Sequence, residues 1–142
     1  MLILTFVFGI ATVGCDIGST NEIANEDSVR IISVTPSTDL IDGVEQLFTI
    51  LVDWRLSSLY EGQLAIGFNT EEWHSWPWSS IVIVERGSGQ QTFTEIIVPR
   101  NYYPETGREL DFAVMVNLLS LHPSDDGNYR LLDLDIMSLR FK

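Results

Sequence analysis

Three groups of residues in this 142-residue chain carry side chains suited to chemistry or recognition. The first is Cys15, the only cysteine. One thiol cannot form an internal disulfide, a cysteine-rich zinc site or an iron–sulfur cluster. It is either modified or buried as an ordinary core thiol. The second group is aromatic. Glu71-Glu-Trp-His-Ser-Trp-Pro-Trp-Ser79 gathers Trp73, His74, Trp76 and Trp78, and Pro99–Gly107 adds Tyr102 and Tyr103. Flat amphipathic rings on a shared loop surface stack on sugars or anchor a protein partner. The alternative is that Trp76 and Trp78 fold back and plug the open end of a β core. The third group is carboxylates. Glu71, Glu72 and Glu105 lie among the aromatics, where a pair of acids could hydrolyse a glycan. With 20 acidic residues, however, some pair lies close by number alone.

Other chemistries are absent from the pattern. Gly87-Ser-Gly89 is not the G-x-S-x-G elbow of a serine hydrolase. No phosphate loop or dinucleotide fingerprint occurs, and Lys142 is the only lysine. His74 and His122 stand in no metal-ligand spacing. Asp125-Asp-Gly-Asn128 lacks the spacing of a calcium loop and reads as a turn. No cofactor and no metal are expected. The 20 acids against 8 bases give a net charge of −12, which excludes a phosphate-binding, nucleic-acid role. A hydrophobic content of 45% separates the chain from acidic disordered tails.

The elements that position these groups begin with the N-terminus. Residues 1–14, MLILTFVFGIATVG, carry no charged side chain. The apolar run Leu2–Val13 has the length of a signal-peptide core and is too short to span a bilayer as a helix. Gly14 then precedes Cys15. A small residue before a lone cysteine behind an apolar run resembles the lipobox of bacterial lipoproteins. Thr12 stands where that family usually has a large aliphatic, and no Lys or Arg precedes the run. The resemblance implies cleavage before Cys15, a diacylglycerol on its thiol, and export across the inner membrane to the bacterial cell envelope. Residues 15–28 then hold the lipidation site and a flexible tether. Asp16–Ser28 has four acids and no base, and it cannot bury enough surface to offset chain entropy. Two acyl chains would give stable anchoring.

Residues 29–142 read as one all-β domain. Strand signals run over Val29–Thr35, Phe48–Leu56, Leu64–Phe68, Ile81–Val84, Thr92–Val98, Leu110–Leu118 and Leu132–Ile136. Arg86-Gly-Ser-Gly89 is expected to turn a hairpin. In the last strand Asp133 and Asp135 are expected to face outward. The phase change before Met137 predicts a β-bulge there. About seven antiparallel strands look like an immunoglobulin-like or fibronectin-III-like sandwich. Ile32-Ser-Val-Thr-Pro36, Phe48–Trp54 and Gly62–Asn69 are similar to bacterial cell-surface domains of the immunoglobulin type. In such a fold Tyr102 or Tyr103 would resemble its tyrosine corner.

Alternating strand direction then sorts the connections. Ser37–Glu45, the tryptophan loop and the tyrosine loop share one pole, and the tether leaves from the other. The resulting expectation is a lipid-anchored, non-catalytic protein that recognises a protein or glycan through that pole, or serves a structural role. The rival expectation is a carboxylate-dependent hydrolase of envelope or extracellular glycans using Glu71, Glu72 or Glu105.

Overall fold

A computed structural model of the chain describes residues 26–69, 78–100 and 112–142. These form one antiparallel sheet of five strands, with no helix among them. The strands are β1 (Ser28–Thr35), β2 (Gln46–Phe68), β3 (Trp78–Ile97), β4 (Phe112–Ser120) and β5 (Leu131–Leu139). The hydrogen-bonded order is β1-β2-β4-β5, and β3 pairs with β2 along the other edge.

Five strands replace the seven expected because two expected breaks are corners inside strands. β2 runs through both Phe48–Leu56 and Leu64–Phe68, and β3 runs through both Ile81–Val84 and Thr92–Ile97. Between Leu56 and Glu61 the register shifts, so that four β2 residues face the single β3 residue Arg86. Gly87 follows with φ 142°, a conformation that L side chains rarely adopt. Arg86-Gly-Ser-Gly89 therefore bends a continuous strand and does not turn a hairpin. The hairpin connection joins Phe68 to Trp78 instead. Arg86 fastens the corner: its Nε donates to the Leu59 carbonyl at 3.2 Å, and its guanidinium sits 4.2 Å from the Tyr60 ring centroid.

The bend folds the sheet onto itself. Phe48 and Phe68 are 20 positions apart on β2, which would separate them by roughly 65 Å in a straight strand. Their ring centroids lie 5.3 Å apart. One half of the sheet holds β1 with the first part of β2 and the last part of β3. The other half holds the remaining parts of β2 and β3 with β4 and β5. Period-two alternation supplies the core between them. Phe48, Ile50 and Val52 face Leu64, Ile66, Phe68, Val114 and Val116, all essentially inaccessible. Phe112 and Phe141 complete an aromatic cluster at one end.

β5 differs from expectation in phase. Asp133, Asp135, Met137 and Leu139 share the inward register opposite Leu118, Val116, Val114 and Phe112. Asp133 and Asp135 therefore do not face outward, and no bulge precedes Met137. The irregularity lies at Leu132, where Leu118 pairs with Asp133 and Leu119 with Leu131. The physical reason is an edge to be satisfied. Val29 N–H donates to Asp133 Oδ2 and Ile31 N–H to Asp135 Oδ2, each at 2.8 Å. The two carboxylates bridge the edges of β1 and β5, where the curled sheet would otherwise stay open.

Candidate binding surface

Following the strands places the connections. β1 ends, β2 begins and ends, β3 begins and ends, and β4 begins at one end of the body. The roots of three connections are tied together there. Leu40 N–H donates to the Arg140 carbonyl at 3.0 Å, and Gly43 N–H donates to the Pro99 carbonyl at 2.8 Å. Ala113 N–H donates to Asn69 Oδ1 at 2.6 Å, and Asn69 N–H returns to the Ala113 carbonyl at 3.2 Å. Beneath these roots the core is closed by Phe48, Phe68, Phe112, Phe141 and Leu40.

The chain enters at the opposite end. Asp27, just before β1, accepts hydrogen bonds from the N–H and hydroxyl groups of Ser57 and Ser58 at the β2 corner. Partial burial raises the Asp27 pKa. The bonds from the Ser58 hydroxyl, the Ser57 and Ser58 N–H groups and the Ser57 hydroxyl lower it and prevail. The β4–β5 connection lies at this end too. Its Ser124–Asn128 segment is a turn with Gly127 at φ 82°, closed by Asp126. The Ser124 hydroxyl and the Asn128 N–H and side chain hold the Asp126 carboxyl down to about 2.

Among the sequence-predicted site residues, Trp78 is described. It opens β3 at the root-bearing end, 40% exposed, outside the buried cluster. Its ring lies 5.9 Å from that of Tyr129, edge-on. Cys15, Trp73, His74, Trp76, Tyr102 and Tyr103 lie outside the described residues, as do Glu71, Glu72 and Glu105.

The structure adds a surface that the sequence reading passed over. In the half containing β4 and β5, the outward register of β3 presents Ile81 and Ile83, and that of β5 presents Leu134 and Ile136. Ile83 is 61% exposed and the other three are exposed as well. Between them Gln63, Ala65 and Asn117 on β2 and β4 are buried, and Gln63 Nε2 donates to the Ser120 carbonyl at 3.1 Å. Trp78 and Tyr129 precede or open strands on opposite flanks of β2 and β4. Their contact crosses this outer face, since the inner face is the core. The sequence signal was present: Ile81–Val84 is apolar at every position, more than one buried face requires.

Two further features carry polar chemistry. A hollow of about 950 Å3 lies along the β1–β5 seam and is lined by Ile31, Trp54, Asp135 and Met137 among others. Its carboxylates are engaged: Asp135 by Ile31 N–H, and Asp53 by Gln90 at 2.7 Å and Arg30 at 3.9 Å. Glu95, in the inward register of β3 opposite Phe48, keeps one carboxylate oxygen out of solvent with no hydrogen-bond partner. Among the described residues no three His, Cys, Asp or Glu side chains are grouped so as to hold a metal ion. No helix among them is long and apolar enough to cross a membrane. Comparison with protein-family models, curated proteins and solved structures finds no match to this chain.

Proposed function

We propose that this chain is a lipid-anchored protein of the bacterial envelope whose β body recognises a protein or glycan without catalysing a reaction. In this reading Cys15 carries the lipid and residues 16–27 form the tether. The body is an immunoglobulin-like module in which paired strands run unbroken around the corners. The observation that carries the reading is polarity. The chain enters at Asp27 on one end, and the connections bearing Trp73, His74, Trp76, Tyr102 and Tyr103 root at the other. A tether at the first end points the aromatic connections away from the bilayer. Loops on a rigid scaffold suit recognition. The net charge of −12 adds repulsion from an anionic membrane surface.

The test has two arms. Intact mass of the membrane fraction from a bacterial host is expected to equal residues 15–142 plus diacylglycerol. A Cys15→Ser variant is expected to lose that mass and leave the membrane. An unmodified soluble product from the native chain rejects the anchor. In the second arm, binding to envelope glycans and peptides is compared for the native chain and a Trp73→Ala/Trp76→Ala variant. Equal binding by both rejects the aromatic pole as the recognition surface. Turnover of a glycan abolished by Glu71→Gln, Glu72→Gln or Glu105→Gln makes the protein a hydrolase instead.

A further inference from the structure

The outer face of the half containing β4 and β5 has apolar sides, with Ile81 and Ile83 on β3 and Leu134 and Ile136 on β5 all exposed. The exposed rings of Trp78 and Tyr129 meet over the same face. A sheet face turned to water normally carries polar residues, and an apolar patch of this kind marks a contact site. Two polar features lie within or beside it. Asn117 sits between the two sides, opposite Ala65 on β2 and Leu134 on β5. It is 7% exposed, and its side-chain amide makes no hydrogen bond among the described residues. Glu95 holds the one polar side-chain atom among them that is both shut in and unpartnered, so the Asn117 amide opens onto the outer face. At the corner end, Glu61 on β2 and Glu85 on β3 are exposed and directly opposite each other. Neither has an ion pair among the described residues, since the neighbouring Arg86 is turned to the Leu59 carbonyl and the Tyr60 ring. Like charges directly opposed across a ladder are destabilising, and a cation placed over both relieves them.

We propose that this face docks an amphipathic, basic α-helix of a partner protein. A stripe of aliphatic side chains seats between β3 and β5, and a hydrogen-bonding side chain within the stripe meets Asn117. Lysine or arginine at the edge of the stripe meets Glu61 and Glu85. A helix fits the width. β3 and β5 stand three strand spacings apart, roughly 14 Å, and a helix with its side chains is about 10–12 Å across. An added strand would find no free backbone groups on the face of a sheet. Charge selects a basic occupant, because the chain carries −12 overall and two unpaired acids at this place. The same charge weighs against a second copy of this chain, which would bring −12 of its own. The aliphatic sides weigh against a glycan, whose hydroxyl groups need more donors and acceptors than Asn117 supplies. Docking on this face requires neither the anchor nor the aromatic connections proposed above for recognition.

The test is fluorescence anisotropy of a labelled peptide titrated with the full-length chain. The probe is an amphipathic helix of leucine and lysine about five turns long, with one glutamine in its leucine stripe. It is expected to bind at least tenfold more tightly than an analogue with glutamate in place of every lysine. Ile83→Lys is expected to raise the dissociation constant at least tenfold. Ile96→Lys makes the same charge change at an exposed aliphatic on the other half and is expected to stay within twofold. Glu85→Lys is expected to cut the preference for the lysine peptide at least fivefold. No binding of that peptide overturns the proposal. Equal loss with Ile83→Lys and Ile96→Lys overturns it as well, because the attraction is then unspecific. Binding lost in Trp73→Ala/Trp76→Ala but kept in Ile83→Lys overturns it in favour of the aromatic connections. Self-association seen by light scattering and abolished by Ile83→Lys gives the face to a second copy instead. Far-ultraviolet circular dichroism and a thermal melt of each variant separate loss of docking from loss of fold.

Discussion

The backbone N–H of Ile31 is satisfied by a carboxylate 104 residues further along the chain, Oδ2 of Asp135 at 2.8 Å. Val29 and Asp133 repeat the relationship one pleat away. A backbone ladder between β1 and β5 would need the strands closer, and the aspartates fill the difference. The sheet is closed on this side by side chains, and on the other side it ends at β3.

Asp135→Ala is expected to destabilise the protein by about 1–3 kcal/mol, the cost of leaving a partly buried N–H without its acceptor. Asp135→Asn retains an acceptor oxygen and is expected to recover part of that loss. Urea denaturation measures both. Amide exchange at Ile31 is expected to accelerate in the alanine variant more than at Ile50. An unchanged midpoint for Asp135→Ala would show that the seam is closed by packing alone.

The corner near Asp27 is expected to weaken in acid. Its folded-state pKa lies below the 3.8 ordinary for an aspartate, so its contribution is fully present above 3.8. That contribution fades as pH falls from 3.8 through the lower folded value. Asp27→Asn is therefore expected to be less stable than the native chain at pH 7 and to approach it below pH 3. Chemical denaturation at the two pH values reads the difference. A gap of equal size at both would assign the effect to something other than the ionised carboxylate.

Gly62 permits a close approach that alanine does not. A Cβ there would lie 2.9 Å from the Leu119 carbonyl oxygen, a backbone atom held in the β2–β4 ladder, and 3.2 Å from Leu56. Gly62→Ala is expected to cost about 1–3 kcal/mol through overpacking. A thermal melt checks it, with Ser88→Ala as the exposed control expected within about 0.5 kcal/mol of the native chain.

Glu95 is expected to be a net liability to the fold. Its solvent-excluded oxygen lacks a partner, so Glu95→Met removes a desolvation cost and adds apolar contact opposite Phe48. A gain of about 1 kcal/mol is expected in urea denaturation. A loss of stability in that variant would mean that the carboxylate is satisfied in solution.

The core of this fold was legible in the sequence because period two is unambiguous where both neighbours are strands. Phe48, Ile50, Val52, Leu64, Ile66, Phe68, Val114 and Val116 are buried as the alternation requires. What the sequence hid was continuity. Gly87-Ser-Gly89 has turn composition, and glycine permits a corner and a turn alike, so the sequence predicts seven strands where the fold has five. The phase of β5 is hidden in the sequence for a related reason. Alternation tells which residues share a face but not which face is inward, and Leu-Asp-Leu-Asp suggests aspartate outward. Only the nearness of β1, a long-range fact, sets Asp133 and Asp135 inward. The clustering of loop roots at one end followed from strand direction alone. The apolar outer face was legible only in part: the wholly apolar Ile81–Val84 signals it on β3, whereas Leu134 and Ile136 alternate with Asp133 and Asp135 and so read as the inward set of β5.

Because β2 and β3 each round a corner, the two halves of the body share two of their strands. Loosening one half pulls on covalent chain that holds the other, and parting the halves at the β1–β5 seam still leaves them joined through β2 and β3. Unfolding is therefore expected as one cooperative transition, with core amides in both halves exchanging at a shared free energy. Mechanical load applied through an anchor at the Asp27 end would be borne by the whole body at once.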